Sequence, residues 1–320
     1  MNYSLAPVPL AEIDLQDTAF QISTDPDVSG LAASIDALGL LVPPILHRVD
    51  GRCVIISGFR RIAACHALGW TTVTARCPSA STSASALAGA AVAENALQRP
   101  LNLIETSRAL ALLAPHFNSH AELSAASEGF GIPENPAMIQ KLLPLCRLPQ
   151  EMQAAILDGT LSLAMVQELG RRPLPAGKVL SALFMALKMS LSKQREVLTL
   201  IEEVCHREAT TVADLLTEPV FADLIKDPSI DGNVKAARLR SLLKQRRYPA
   251  VHAAKEKADA LIRALKLTGP MTLTPPKDFE GMNFTLTMRF QSLDELKHLH
   301  QRLHHLLDRP ELAQLLSKDL

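Results

Sequence analysis

The chain has 320 residues, room for two or three domains, of which 48% are hydrophobic and only 4% aromatic. Its 33 Lys+Arg and 33 Asp+Glu cancel, which excludes a protein that coats nucleic acid by bulk charge and restricts such contact to local patches. No apolar run approaches the roughly 18 to 20 residues of a membrane helix, so the chain is not expected to touch a membrane. Abundant Ala and Leu favour a mostly helical protein. Met1 to Leu15 lacks the positive-then-apolar order of a secretory signal. Cys53, Cys65, Cys77, Cys146 and Cys205 are odd in number and contain no CxxC, which supports neither a disulfide framework nor a Cys-based zinc site.

In chain order, Val8 to Leu15 reads as a short strand. Leu31, Ile35 and Leu38 fall on one face of a helix with Ser29 as its N-cap and Gly39 as its end. Ile45 to Arg48 and Cys53 to Ser57 flank Asp50-Gly51, a hairpin signal. A helix from Gly58 to Leu68 and a strand over Thr72 to Cys77 follow. The stretch Pro78 to Ser85 reads as a loop or as the polar start of a helix carrying Glu94.

The most informative segment is Ser57-Gly58-Phe59-Arg60-Arg61-Ile62-Ala63-Ala64. A β-branched run ends in Gly, and two arginines then occupy a helix first turn, where the dipole disfavours cations. Either an anion sits there, bound by helix N–H groups and guanidinium forks, or both arginines are solvated surface residues. Downstream, Glu94, Asn95, Gln98 and Arg99 add a carboxylate, two amides and a further cation. Read on their own, Glu94 and Asn95 are oxygen ligands suited to Mg²⁺, and Arg99 is one more phosphate contact.

The order of these pieces resembles the ParB/sulfiredoxin-like N-terminal domain. It runs from a helix ending in Gly39 through Val42-Pro43-Pro44-Ile45-Leu46, Gly58-Phe59-Arg60-Arg61, Ala63-Ala64, Leu68-Gly69-Trp70 and Glu94-Asn95 to Gln98-Arg99 and Leu101-Asn102-x-x-Glu105. The resemblance covers roughly residues 8 to 110. It implies a cradle for the phosphates of CTP, or another nucleotide, with Mg²⁺. The cofactor-binding residues would be Ser57, Gly58, Arg60, Arg61, Asn95, Gln98 and Arg99, with Glu94 and Asn95 on the metal and Glu94 the candidate for catalysis. Phe59 stands where the family usually has Glu, Val42 where it has Gln, and one extra residue separates Asn95 from Gln98-Arg99. Phosphate binding is therefore the stronger implication, ahead of turnover. Of the redox branch of this superfamily little is present: Cys65 lies two turns into the helix and reads as a small buried hydrophobe.

Leu148-Pro149 through Ser162 looks like the family's segment just after a helix-turn-helix. This places a recognition helix at Asn135 to Leu145, its partner at His120 to Ser127, and Gly131 in the turn. The DNA-facing candidates there are Asn135, Gln140 and Lys141; plain helical packing is the alternative. Between Lys235 and Lys266 ten Lys/Arg face two acids, with Lys244, Arg246 and Arg247 at the centre. This patch is either a nucleic-acid surface or a solvated helix face. Asn283 to Phe290 alternates as a strand, and Ser292 caps a helix with Glu295 at the capping-box position. That pair is either a dimerisation unit or packs on its own chain. His298, His300, His304 and His305 read as a surface cluster rather than a metal site.

The expected architecture is α+β and mostly helical. Residues 1–103 form the ParB/sulfiredoxin-like domain and 104–172 a helix-turn-helix-like domain. Residues 173–268 form a helical connector and 269–320 a β–α unit. The expected function is a ParB-like DNA-binding protein of partition or transcription regulation, with weak CTPase activity at most. It would be cytoplasmic and nucleoid-associated, dimeric, and a partner of DNA and of a partition ATPase. A metal-dependent nuclease or nucleotide hydrolase, and a scaffold with a degenerate nucleotide site, are the alternatives.

Overall fold

The structure is a computed structural model and describes residues 2–49, 51–267, 269–276 and 283–317. The chain divides into two compact units, Met1–Glu168 and Leu169–Leu320.

The first unit is built on a four-stranded sheet, ordered β1-β4-β2-β3, from β1 (Tyr3–Pro9), β2 (Ile45–Val49), β3 (Arg52–Ser57) and β4 (Thr72–Pro78). β1 pairs antiparallel with β4 (Val8 opposite Val73), β2 pairs antiparallel with β3, and Ile45 meets Arg76 in a parallel contact. Pro7 and Pro9 lack N–H donors, so β1 suits the sheet edge it occupies. Strand alternation sorts the sheet into two buried faces. On one, Val8, Leu46, Ile55, Val73 and Ala75 pack with Ile35 of α1 (Ser29–Leu38) and Ile62, Ala64 and Cys65 of α2 (Phe59–Ala67). On the other, Ile45 and Ile56 pack with Leu87 and Ala91 of α3 (Ala84–Ala96).

Several local expectations shift. The first strand begins at Tyr3 and stops at Pro9; Leu10–Glu12 form a 3-10 turn, and Ile13 makes an isolated bridge to Cys53. Ser29 is the first helical residue rather than the cap, because Asp27 Oδ1 already accepts its N–H at 2.9 Å. Gly39 (φ 75°) ends α1 as expected. The hairpin is present, although Asp50 of its turn lies outside the described residues. Ser83 caps α3 by accepting the Ala86 N–H, so the polar stretch before it is a loop that feeds a cap.

Helical residues complete this unit: α4 (Leu103–Leu113), α5 (His120–Gly129), α6 (Pro136–Leu142), α7 (Gln150–Leu157) and the start of α8 (Leu163–Gly170). Asn102 and Glu105 form a reciprocal capping box on α4. The α5–α6 turn is closed by Gly131 (φ 88°) and by Ser127, whose buried hydroxyl donates to Ile132 O at 2.9 Å. It sits against α3: a Cβ on Gly89 would lie 2.8 Å from the Phe130 ring, and one on Gly131 2.8 Å from Leu97.

The second unit contains α9 (Leu174–Leu187), α10 (Leu191–Glu208), α11 (Val212–Thr217), α12 (Pro219–Lys226), α13 (Gly232–Arg247) and α14 (Pro249–Ala264). Val197, Ile201 and Val204 of α10 and Leu239 and Leu243 of α13 are fully buried apolar residues, each contributing about 1.5–3 kcal/mol. A hairpin of β5 (Met271–Thr274) and β6 (Thr285–Met288) follows, then α15 (Leu293–Leu307) and α16 (Pro310–Leu315). β5 and α16 were not anticipated. The strand is shorter than its alternation suggested, because Phe290 is 51% exposed. Ser292 caps α15 as expected, and Glu295 accepts the Gln291 N–H one residue before the usual box position. Leu299 and Leu306 bury the α15 seam against Met271, Leu265 and Leu312.

Candidate functional site

The β3 strand delivers Ser57 to a buried position, and Gly58 turns the chain into α2. Gly58 has φ +100°, and a Cβ there would lie 2.8 Å from Pro44 Cβ and 3.1 Å from Pro44 Cα. Only glycine lets the Pro43-Pro44 loop approach the helix start this closely. The first-turn N–H groups of α2 have no acceptor within the helix.

Arg61 turns inward. Its Nη1 donates to the carbonyls of Val42 (2.9 Å) and Pro43 (3.2 Å), and its Nη2 to Glu94 Oε2 at 2.8 Å. Ser57 Oγ donates to the same oxygen at 2.6 Å, and Arg76 Nη2 donates to Glu94 Oε1. Burial pushes the Glu94 carboxyl up, but the Ser57 and Arg61 hydrogen bonds and the charges of Arg61 and Arg76 outweigh it. The net effect holds Glu94 below the usual carboxylate range. Arg76, also over the Tyr3 ring at 5.5 Å, was not picked out from sequence, where a lone Arg in a strand carries no signal.

Arg99 forms a bidentate pair with Glu105, each Nη 2.7 Å from a carboxylate oxygen. Glu105 is 1% exposed and also accepts from the N–H groups of Thr24 (3.0 Å) and Asn102 (3.1 Å). Burial raises its pKa; these donors overcome that and lower it to about 2. The same pair raises that of Arg99. Arg99 thus lines the cleft while paired with Glu105.

Arg60 is placed differently. Its Nη2 sits 3.0 Å from Asp25 Oδ2 and donates to the Asp27 carbonyl. Its Nε is buried with no hydrogen-bond partner, as is Ser23 Oγ. Both residues line a cleft of about 290 Å³, together with Ser57, Gly58, Arg61, Glu94, Asn95, Gln98 and Arg99. All eight residues singled out by sequence thus converge on one cleft; Ser23, which also lines it, and Asp25, which contacts Arg60, carried no signal in the sequence. An open depression of about 780 Å³ beside His66 and Trp70 holds none of them.

The cleft fits an anion better than a metal. Two residues that line it, Arg60 and Ser23, each carry a buried polar atom without a partner, and an orphaned buried donor is costly until an acceptor arrives. Glu94 is flanked by two guanidinium groups, and Asn95 Nδ2 donates to Ala91 O at 2.8 Å, which fixes the Asn95 side chain. A divalent cation at Glu94 would meet the charges of Arg61 and Arg76. No group of three or more His, Cys, Asp or Glu placed to hold a metal occurs among the described residues.

Residues 4–96 match the family model of the ParB N-terminal domain. That span is similar to the ParB N-terminal domain. No curated protein matches the chain. Among solved structures it is similar to the C-terminally truncated chromosome-partitioning protein ParB from Caulobacter crescentus. The form complexed with CTP-gamma-S is 20% identical over 57% of this chain and 99% of that chain, with a TM-score of 0.27. The form complexed to the centromeric parS site is 18% identical over 59% and 96%, with a TM-score of 0.35. The pNOB8-like ParB N-domain is 15% identical over 77% and 91%, with a TM-score of 0.32. Gly58, Arg60, Arg61 and Glu94 all fall inside the matched span.

The DNA candidates separate into two groups. Gln140 and Lys141 are exposed on α6, whereas Asn135 caps it, accepting the Met138 N–H at 2.9 Å. Residues 114–168 hold Lys141 and Arg147 against Glu122, Glu128, Glu134, Glu151, Asp158 and Glu168, an acidic balance unlike that of phosphate-anchoring surfaces. In the second unit Lys244 pairs with Glu196 at 2.7 Å and Arg247 with Glu203 at 2.8 Å. Arg246 bridges Glu208 (2.6 Å) and Glu218. These three cations tie α13 to its neighbours. No helix among the described residues is long and apolar enough to cross a membrane.

Proposed function

We propose that this chain is a ParB-type DNA-partition protein whose N-terminal cleft binds the phosphates of a nucleotide, with CTP the first ligand to try. The observation that carries this reading is the buried Arg60 Nε, without a partner, on a 290 Å³ cleft shared with Ser23 and Gly58. That volume lies near the lower end of the range for ligand clefts, about 300 Å³ upward. In this reading the α2 N–H groups, Arg60 and Ser23 bind a phosphoryl group. Gly58 keeps the approach open, and Arg61 with Glu94 holds the Pro43-Pro44 loop in register. Turnover is not part of the reading, because Glu94 accepts three hydrogen bonds and lies between two arginines, poorly suited to activating water. The same arrangement disfavours a nuclease.

DNA association, a homodimer and a partition ATPase partner belong to the same proposal. Exposed Phe290 and Leu293 (51% and 66%) beside the β5–β6 hairpin support self-association through the C-terminal unit. A second reading, an interaction scaffold with a degenerate nucleotide site, is favoured by the carboxylates that already engage Arg61 and Arg99 and by the acidic balance of residues 114–168.

Calorimetric titration with CTP, ATP and GTP separates the two. The first reading expects binding that Arg60→Ala removes; no heat from any nucleotide at millimolar concentration favours the scaffold.

A further inference from the structure

The arginines of the cleft do not hold their carboxylates equally. Arg61 and Arg76 are tied to Glu94, whose side chain is 16% exposed, and Arg99 to Glu105, at 1%. Neither acid can leave without stranding a charge. Arg60 and Asp25 are instead 38% and 51% exposed, so their separation exposes nothing that was buried. Resting on the phosphate-binding reading above, we propose that Asp25 is a specificity-determining residue. It is a built-in carboxylate competitor for the Arg60 guanidinium, so that the site selects polyphosphates over a single phosphate.

The chain around Asp25 is built to present it. Thr24 is pinned by Glu105, which accepts its N–H at 3.0 Å and its Oγ1 at 3.3 Å, and Asn102 Nδ2 donates to Thr24 Oγ1 at 2.8 Å. Asp25 Oδ1 accepts the Asp27 N–H at 3.0 Å, and Asp27 in turn holds the start of α1 through Ser29. The carboxylate is therefore fixed from both sides, with its other oxygen on Arg60. A carboxylate oxygen 3.0 Å from a guanidinium Nη stands where a phosphoryl oxygen would be bound. Asp25 leaves Arg60 Nε unsatisfied, and Ser23 Oγ is likewise without a partner; both belong to residues that line the cleft.

An incoming anion must displace Asp25 and then endure its charge at the mouth. A lone phosphate gains Arg60 and the two spare donors against this competition. A polyphosphate places one phosphoryl group there and further ones along the α2 N–H groups, so its gain outruns the same penalty. Charge at the mouth thus becomes discrimination by phosphate number.

The test is calorimetry on the full chain with inorganic tripolyphosphate and with orthophosphate, for the wild type, Asp25→Asn and Asp27→Asn. Asp25→Asn should tighten tripolyphosphate about 3- to 10-fold and bring orthophosphate into the measurable range. Asp27→Asn, which leaves the Arg60–Asp25 pair in place, should change either affinity by less than about 2-fold. Arg60→Ala should remove binding in both the wild-type and Asp25→Asn backgrounds. If the wild type binds tripolyphosphate and Asp25→Asn binds it equally or more weakly, the inference is overturned while the phosphate reading stands. If neither protein binds at millimolar concentration and both keep the same Tm, the phosphate reading fails and takes the inference with it.

Discussion

Arg99 and Glu105 lie six positions apart and form a two-armed ion pair with both N–O distances at 2.7 Å. The pair closes the start of α4 and holds Thr24 across 81 positions of chain. Glu105→Gln should lower stability by about 3 kcal/mol at neutral pH, the order of a broken buried pair. The pH dependence has a definite sign. A carboxylate lowered from 4.5 to about 2 in the folded state contributes stability that is full above about 4.5 and is lost as pH falls through 2. Thermal melts from pH 7 to 2 should therefore show wild type and Glu105→Gln converging as the acid end is reached. A gap that stays constant would contradict this.

Gly58 and Gly69 both have positive φ, but only Gly58 faces a neighbour, Pro44, inside 3 Å. Gly69→Ala should cost about 1 kcal/mol from backbone strain alone. Gly58→Ala should cost more, about 2–4 kcal/mol, because the Pro43-Pro44 loop must also retreat, and it should abolish phosphate binding. Urea unfolding of the two variants checks the ranking.

In the second unit, Lys244, Arg246 and Arg247 serve α10 and its neighbours. Replacing all three with Gln should reduce stability by about 1–3 kcal/mol, with the loss shrinking at high salt. If DNA binds at all, its affinity should hardly change, whereas a surface contact would reduce the slope of log affinity against log salt by about one per cation lost. Fluorescence anisotropy with a duplex across a salt series reads that slope.

Gly89 packs against the Phe130 ring, joining α3, which carries Glu94, to the α5–α6 turn. Gly89→Ala should overpack this contact and cost about 1–3 kcal/mol. Hydrogen exchange should show lost protection in α5 and the end of α3 together; loosening of α5 alone would contradict a shared contact.

Much of this was legible before any coordinates. Gly58 and the first-turn arginines marked the cleft, because glycine at a strand end and cations at a helix start are each costly without a reason. The ordered elements from Gly39 to Glu105 placed the domain. Partner choice was not legible. The ion pair of Arg99 is one case: Asn102-x-x-Glu105 forms a capping box that places a carboxylate within its reach. Ser23, Asp25 and Arg76 reach the site across 18 or more positions, which no local pattern encodes. The acids that pair with Arg240, Lys244, Arg246 and Arg247 were not legible either, because Glu196, Glu203 and Glu208 lie on α10 and Glu218 between α11 and α12.

The central claim is that Arg60 Nε–H and the start of α2 receive a phosphoryl group. Following the Arg60 Nε–H and the backbone amides of Phe59, Arg60 and Arg61 by ¹H–¹⁵N NMR, with an Arg60→Lys variant for assignment, reads those donors during a tripolyphosphate titration. Saturable shifts concentrated at these signals and at Ser23 are predicted. Saturable shifts elsewhere in the chain, with these signals unmoved, would contradict it.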